Sequence, residues 1–119
     1  MDINQACEAF RVLLEEQSKR IANMNTEKTD FAKKEVVTIG VVDGDGIGPY
    51  LTAHATRVLE KLLSDEIAKG TIVIKRIAGL TIENRKAQNK AIPDDVLAEI
   101  KTCDVILKGP TERNCPRGR

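Results

Sequence analysis

The chain has 119 residues, 19 Lys+Arg against 18 Asp+Glu, one His and a formal net charge of +1. That balance gives no field to steer it toward nucleic acid or an acidic membrane, and 3% aromatics with no Trp exclude a platform that stacks single-stranded bases. The length allows one domain at most, with a core drawn from Val, Ile, Leu and Ala.

Residues 3 to 24 carry Phe10, Leu13, Leu14, Ile21 and Met24 at three- and four-residue steps, which predicts an amphipathic helix. Asp2 or Asn4 is its expected cap. Glu15–Lys19 and Glu16–Arg20 are its expected ion pairs. Its polar face mixes both signs of charge, so it reads as a helix packed on its own domain or subunit rather than on a membrane. A polar linker, NTEKTDFAKKE, follows at residues 25 to 35.

Val36 to Val42 is an almost wholly apolar run, as in a strand covered on both faces of a parallel sheet. It ends in Gly44-Asp45-Gly46-Ile47-Gly48-Pro49. A helix is then predicted from Pro49 to Lys69, with Leu51, Ala55, Val58, Leu59, Leu62, Leu63 and Ile67 as its apolar stripe and Gly70 as its stop. Thr71 to Ala78 is a second strand, Thr81 to Asn89 a weak polar helix, and Ile92-Pro93-Asp94-Asp95 opens another helix reaching Cys103. Asp104 to Leu107 is a third strand, ended by Gly109-Pro110.

Strands alternating with helices at this spacing predict an α/β fold with an open parallel sheet and right-handed crossovers. Ligands bind such sheets outside the carboxyl ends of the strands. The Gly-rich loop and the Lys108-Gly109-Pro110-Thr111 loop both belong to that edge. A helix start after a glycine turn suits a negatively charged or nucleotide-like ligand, because first-turn N–H groups are free and partly positive.

The Gly-rich turn is not the GxGxxG dinucleotide fingerprint, since its third glycine comes one residue early, and the second strand ends without a ribose-binding acid. Nor does a Gly-Lys-Ser/Thr follow, as a Walker loop requires. Asp43 and Asp45 read as capping or loop hydrogen-bonding groups rather than metal ligands. His54 has no acid or Cys partner by spacing, so no catalytic role is assigned to it. Lys108 ends an apolar strand and is either a cation facing an anionic ligand or a solvated strand end. Cys7, Cys103 and Cys115 stand far apart with no CxxC, which argues for a reducing cytoplasm rather than disulfides or zinc. No secretory signal is recognised, and no apolar run reaches the ~20 residues that span a bilayer.

A strand leading into GDGIGP, then AGLTIENR and AIPDDVL, then ILKGPT, resembles the isocitrate/isopropylmalate dehydrogenase family, most of all its NAD-dependent isocitrate dehydrogenase-like branch. The likeness covers residues 1 to about 111. It implies that family's sheet, distinct from the Rossmann fold and truncated here after about three strands, behind an N-terminal helix. The implied segments are 1–34 for the helix and linker, 35–111 for a partial cofactor-cleft domain, and 112–119 for a divergent tail.

The resemblance also implies oxidation of a 2-hydroxy acid by NAD or NADP, decarboxylation with Mg2+ or Mn2+, and a homodimer. Ile47, Lys108 and Thr111 match family positions at the cofactor cleft. No catalytic or metal-binding residue carries over, because the resemblance puts the family's substrate arginines, catalytic Tyr and Lys, and metal-binding aspartates beyond the ILKGPT match. Arg113, Arg117 and Arg119 match none of them, and Tyr50 stands where many members have an acid. The expectation is a chain inactive alone. The alternative is a non-catalytic module that associates with a full-length relative through its sheet edge and N-terminal helix.

Overall fold

A computed structural model describes residues 2–113. Cys115, Arg117, Arg119 and most of the expected tail therefore lie outside the described residues. The chain divides into two compact units that meet between Asp30 and Phe31.

The first unit is built on α1 (Ile3–Ala22). Asp2 caps it: its carboxylate accepts the Gln5 N–H at 2.7 Å, and the Gln5 side chain accepts the Asp2 N–H in return. Arg11 bridges Glu8 and Glu15 along one face, at 2.6 and 3.1 Å. The expected Glu15–Lys19 pair does not form, since Arg11 already holds Glu15, and the expected Glu16–Arg20 pair is not made either. The same contact with Glu8 raises the Arg11 pKa further. The apolar stripe predicted for this helix is present but exposed, and none of its residues is buried.

The second unit opens with a short 3-10 turn at Phe31–Lys33 inside the expected linker. Then come β1 (Val37–Val42), α2 (Gly48–Leu62), α3 (Ser64–Lys69), β2 (Ile72–Ile77), α4 (Ile82–Ala87), α5 (Asp94–Ile100) and β3 (Val105–Lys108). The three strands form one parallel sheet in the order β2-β1-β3. β1 is central because it alone is apolar enough to be covered from both sides, and Val41 and Val42 are each 1% exposed. Ile77 and Lys108 both pair with Val42, so all three strands end level and their following loops leave from one rim.

One face of the sheet holds the core. Val42, Ile77, Leu80 and Val96 pack together, with Ile100, Cys103 and Ile106 against them. Cys103 is thus a small core residue, half-buried. Behind the rim's opposite end, Asp104 accepts the Thr38 N–H at 2.9 Å and pairs with Lys34.

Two sequence expectations for α2 are corrected. The predicted single helix from Pro49 to Lys69 breaks at Leu63, whose φ of −107° and ψ of 20° end α2 and begin α3. The predicted stripe is also rotated. Leu51, Val58 and Leu62 are 47%, 58% and 73% exposed, while Thr52 and Thr56 are buried. Small side chains let the helix lie close, and the Thr52 hydroxyl reaches the Asp43 carboxylate at 2.5 Å and the Gly48 carbonyl at 3.1 Å. Those bonds turn the Thr face inward, against the larger apolar residues.

Candidate functional site

The strand order fixes where a ligand can sit. From β1 the chain moves to one side to form β2, then crosses back to the other side to form β3. The connections therefore diverge at the carboxyl ends of β1 and β3, the topological position at which open α/β sheets bind ligands. The Gly44–Ile47 turn and the Gly109–Thr111 segment both leave from that position.

The glycines in these loops serve mainly to let them touch. A Cβ on Gly44 would lie 2.1 Å from the Pro110 carbonyl oxygen, and one on Gly109 would lie 2.1 Å from the Asp43 carbonyl oxygen. A Cβ on Gly48 would meet the same Asp43 oxygen at 2.0 Å. The Asp45 N–H donates to the Pro110 carbonyl at 2.8 Å, and the Gly109 N–H to the Val42 carbonyl at 2.7 Å. Much of the glycine backbone is thus spent on contact between the two loops. Gly46 differs, with a left-handed φ of 56° and nothing within 4 Å of an added Cβ. At this position the backbone does face open space.

α2 begins immediately after. Ile47 precedes it with no side-chain cap, but the Gly48 N–H donates to the Asp45 carbonyl at 2.9 Å and Pro49 in the first turn has no N–H to offer. Ile47 itself is 61% exposed.

On the other flank, Lys108 Nζ donates to the Gly109 carbonyl at 3.0 Å and to Thr111 Oγ1 at 3.2 Å. Among the described residues, no carboxylate pairs with it. Lys108 and Thr111 are thus brought together, and Ile47 lies on the loop that touches their segment. None of the three lines the half-open cavity found at the rim. That cavity, about 200 Å³, lies on the β2 side between Asp43, Gly44, Pro49 and residues 77–81. A larger groove of about 600 Å³ runs along α2 past His54, Arg57, Val58, Lys61 and Leu62, away from the rim. His54 there stacks edge-on with Tyr50, ring centroids 4.5 Å apart.

Both loop carboxylates are occupied. Asp43 accepts from Thr52 Oγ1 and from Arg76 Nη1 at 2.8 Å. Asp45 is buried and its oxygens reach the Ile82 N–H at 2.5 Å and the Glu112 N–H at 3.0 Å. Arg85 Nη1 stands 3.5 Å from the same carboxylate, with the two side chains 9% and 4% exposed. Arg85 also donates to the Ala91 carbonyl at 2.9 Å and the Glu112 carbonyl at 3.1 Å. Sequence reasoning anticipated loop hydrogen bonding for both aspartates but missed Arg85, which sits inside a segment read only as weakly helical and polar. Arg85 shares a helix face with Ile82 three residues earlier, but that spacing does not tell a buried arginine from an exposed one.

Among the described residues, the rim therefore presents Lys108 as a cation with no carboxylate partner, beside a helix start with no side-chain cap and an open Gly46, with Asp43 and Asp45 paired to arginines. That arrangement suits a phosphate-bearing nucleotide. The described residues do not suit a catalytic divalent metal, for they contain no group of three or more His, Cys, Asp or Glu side chains placed to hold one.

Comparison with known proteins bears on the same region. The family model described as isocitrate/isopropylmalate dehydrogenase matches residues 38–117. A 3-isopropylmalate dehydrogenase 1 of Bradyrhizobium diazoefficiens is 39% identical over 75 residues, covering 63% of this chain and 19% of that protein. A 3-isopropylmalate dehydrogenase of Mycobacterium tuberculosis is 37% identical over 71 residues, 60% of this chain and 19% of that protein. A homoisocitrate dehydrogenase of Methanocaldococcus jannaschii is 35% identical over 74 residues, 62% and 19% respectively. The chain thus spans about a fifth of the length of these relatives. No solved structure matches it.

Proposed function

Because this chain belongs to the isocitrate/isopropylmalate dehydrogenase family, we propose that it forms one wall of the cofactor cleft of an NAD(P)-dependent oxidative decarboxylase acting on a 2-hydroxy acid of the isocitrate or 3-isopropylmalate kind. The observation that carries this reading is the 2.8 Å bond from Asp45 N–H to the Pro110 carbonyl. It welds the two loops into a single edge at the position where an open α/β sheet binds ligands.

When bound, a nicotinamide cofactor supplies a hydride acceptor. The chain's own residues bind and orient it. The Gly46 backbone and the start of α2, where Pro49 has no N–H and the Gly48 N–H already donates to the Asp45 carbonyl, offer mainly the partial positive charge of the helix end to phosphate oxygens. Ile47 offers an exposed apolar side chain for a flat ring. Lys108, without a carboxylate partner among the described residues, offers charge to an anionic group, and Thr111 holds its ammonium in place. Metal-assisted decarboxylation requires carboxylates that these residues do not assemble, so no step of it is assigned to them.

It follows that the 119-residue polypeptide by itself does not complete the reaction. The test is NADH or NADPH formation with isocitrate or 3-isopropylmalate, either nucleotide, and Mg2+ or Mn2+. No turnover is expected, and sustained turnover by this chain would refute that expectation.

A second reading draws on a different observation. Phe10, Ile21 and Met24 on α1 are 60%, 64% and 58% exposed, and β2 and β3 are both edge strands. Such surfaces invite a covering partner, either a second copy, as in a homodimer, or a full-length relative. Light scattering of the purified chain separates these readings: a monomer across micromolar concentrations speaks against self-association.

A further inference from the structure

We propose that Asp45 is a positioning residue for the nucleotide-facing edge, its buried carboxylate and Arg85 clasping the loops after all three strands into one shape before a ligand arrives. This rests on the nucleotide reading of that edge.

Asp45 reaches every loop of the rim. It lies in the loop after β1. One carboxylate oxygen accepts the N–H of Ile82, at the end of the loop after β2, at 2.5 Å. The other accepts the N–H of Glu112, in the segment after β3, at 3.0 Å. Its own N–H holds Pro110, and its carbonyl accepts the Gly48 N–H at 2.9 Å where α2 begins. Ile82 is the first residue of α4, so the carboxylate also meets the positive end of that helix.

Arg85 completes the clasp. Its planar fork serves the Ala91 carbonyl, the Glu112 carbonyl and the Asp45 carboxylate together, which a lysine's single ammonium cannot match. A buried ion pair adds little net stability over apolar residues of equal volume, but it fixes directions. Here those directions set the path from Gly44 to Gly48 and the path from Gly109 to Glu112, which flank Lys108.

The clasp is tested by amide hydrogen exchange and NADH titration on the full 119-residue chain, comparing the natural sequence with Asp45→Asn and Arg85→Gln. Arg85→Gln is the sharper variant, since the Arg85 side chain bonds to none of the amides read out. We expect exchange at Asp45, Ile82 and Glu112 to rise on the order of tenfold or more in both variants, with Val41 and Val42 of β1 still protected. The NADH dissociation constant should rise by a similar factor.

If Arg85→Gln leaves the Asp45 and Glu112 amides unchanged, the clasp is refuted. If the β1 amides lose protection equally, the pair is a general stabiliser and the proposal also fails. Unchanged NADH affinity beside loosened loops would refute the positioning role. Failure of the natural chain to bind NADH overturns the nucleotide reading instead, and the exchange data alone then decide whether the clasp exists.

Discussion

Replacing Gly109 by Ala attacks the weld between the two loops without touching any charge. The added Cβ would stand 2.1 Å from the Asp43 carbonyl oxygen, 3.0 Å from its carbon and 3.2 Å from Gly48 Cα. All three are backbone atoms, so no side chain can swing aside. The segment must retreat by about 1 Å or more to reach ordinary contact. That strains or breaks the Gly109 N–H bond to Val42 and the Asp45 N–H bond to Pro110, now 2.7 and 2.8 Å long. Two such bonds contribute about 1 kcal/mol each, and overpacking adds about 1–3 kcal/mol. The expected loss is therefore about 3–5 kcal/mol.

Gly46→Ala is the control. It introduces only the cost of a left-handed φ at 56° in open space, about 1–2 kcal/mol. Urea denaturation followed by far-ultraviolet circular dichroism measures both. A Gly109→Ala variant as stable as Gly46→Ala, or more so, would refute the claim that the loops are in backbone contact.

Other outcomes follow from the same geometry. Lys34, and then the Thr38 N–H, hold the Asp104 carboxyl below its ordinary pKa. A carboxyl depressed on folding contributes stability above its unfolded pKa and loses it as pH falls toward the folded one. The stability difference between the natural chain and Asp104→Asn should therefore be flat from neutral pH to about pH 5 and shrink below about pH 4; a difference that grows on acidification contradicts the assignment. Thr56 Oγ1 is buried with no hydrogen-bond partner among the described residues. Thr56→Val removes an unsatisfied hydroxyl at nearly constant shape, so stability by denaturation should hold or rise by about 1 kcal/mol; a clear loss would show that the hydroxyl has a partner.

Much of the second unit was legible because its signals are local. The apolar run at Val36 to Val42, the glycine turn and Gly70 are backbone instructions, and the three strands and α4 form within two residues of their expected bounds, whereas the helix expected to reach Cys103 stops at Ile100. The paired glycine loops could be placed at one rim because a parallel sheet allows little else. The α2 face was misread because hydrophobic periodicity weighs Leu51, Val58 and Leu62 above Thr52 and Thr56. Close packing and a hydroxyl-to-carboxylate bond outweighed that pattern. The Asp45–Arg85 pair was invisible for another reason. The two residues are 40 positions apart, and a polar segment gives no hint that one of its arginines is buried until the tertiary contact is known. For the Gly-rich turn the sequence left tight geometry and a ligand site equally open, and three of the loop glycines mainly admit a neighbouring backbone.

The most direct measurement is a titration of the isotopically labelled 119-residue chain with NAD+ and with NADP+, following backbone amide shifts. The account predicts that Gly46, Ile47, Lys108 and Thr111 move together and saturate with a common dissociation constant. Shifts confined to the His54–Lys61 groove of α2, or no saturable shift at the rim with either nucleotide, would contradict it.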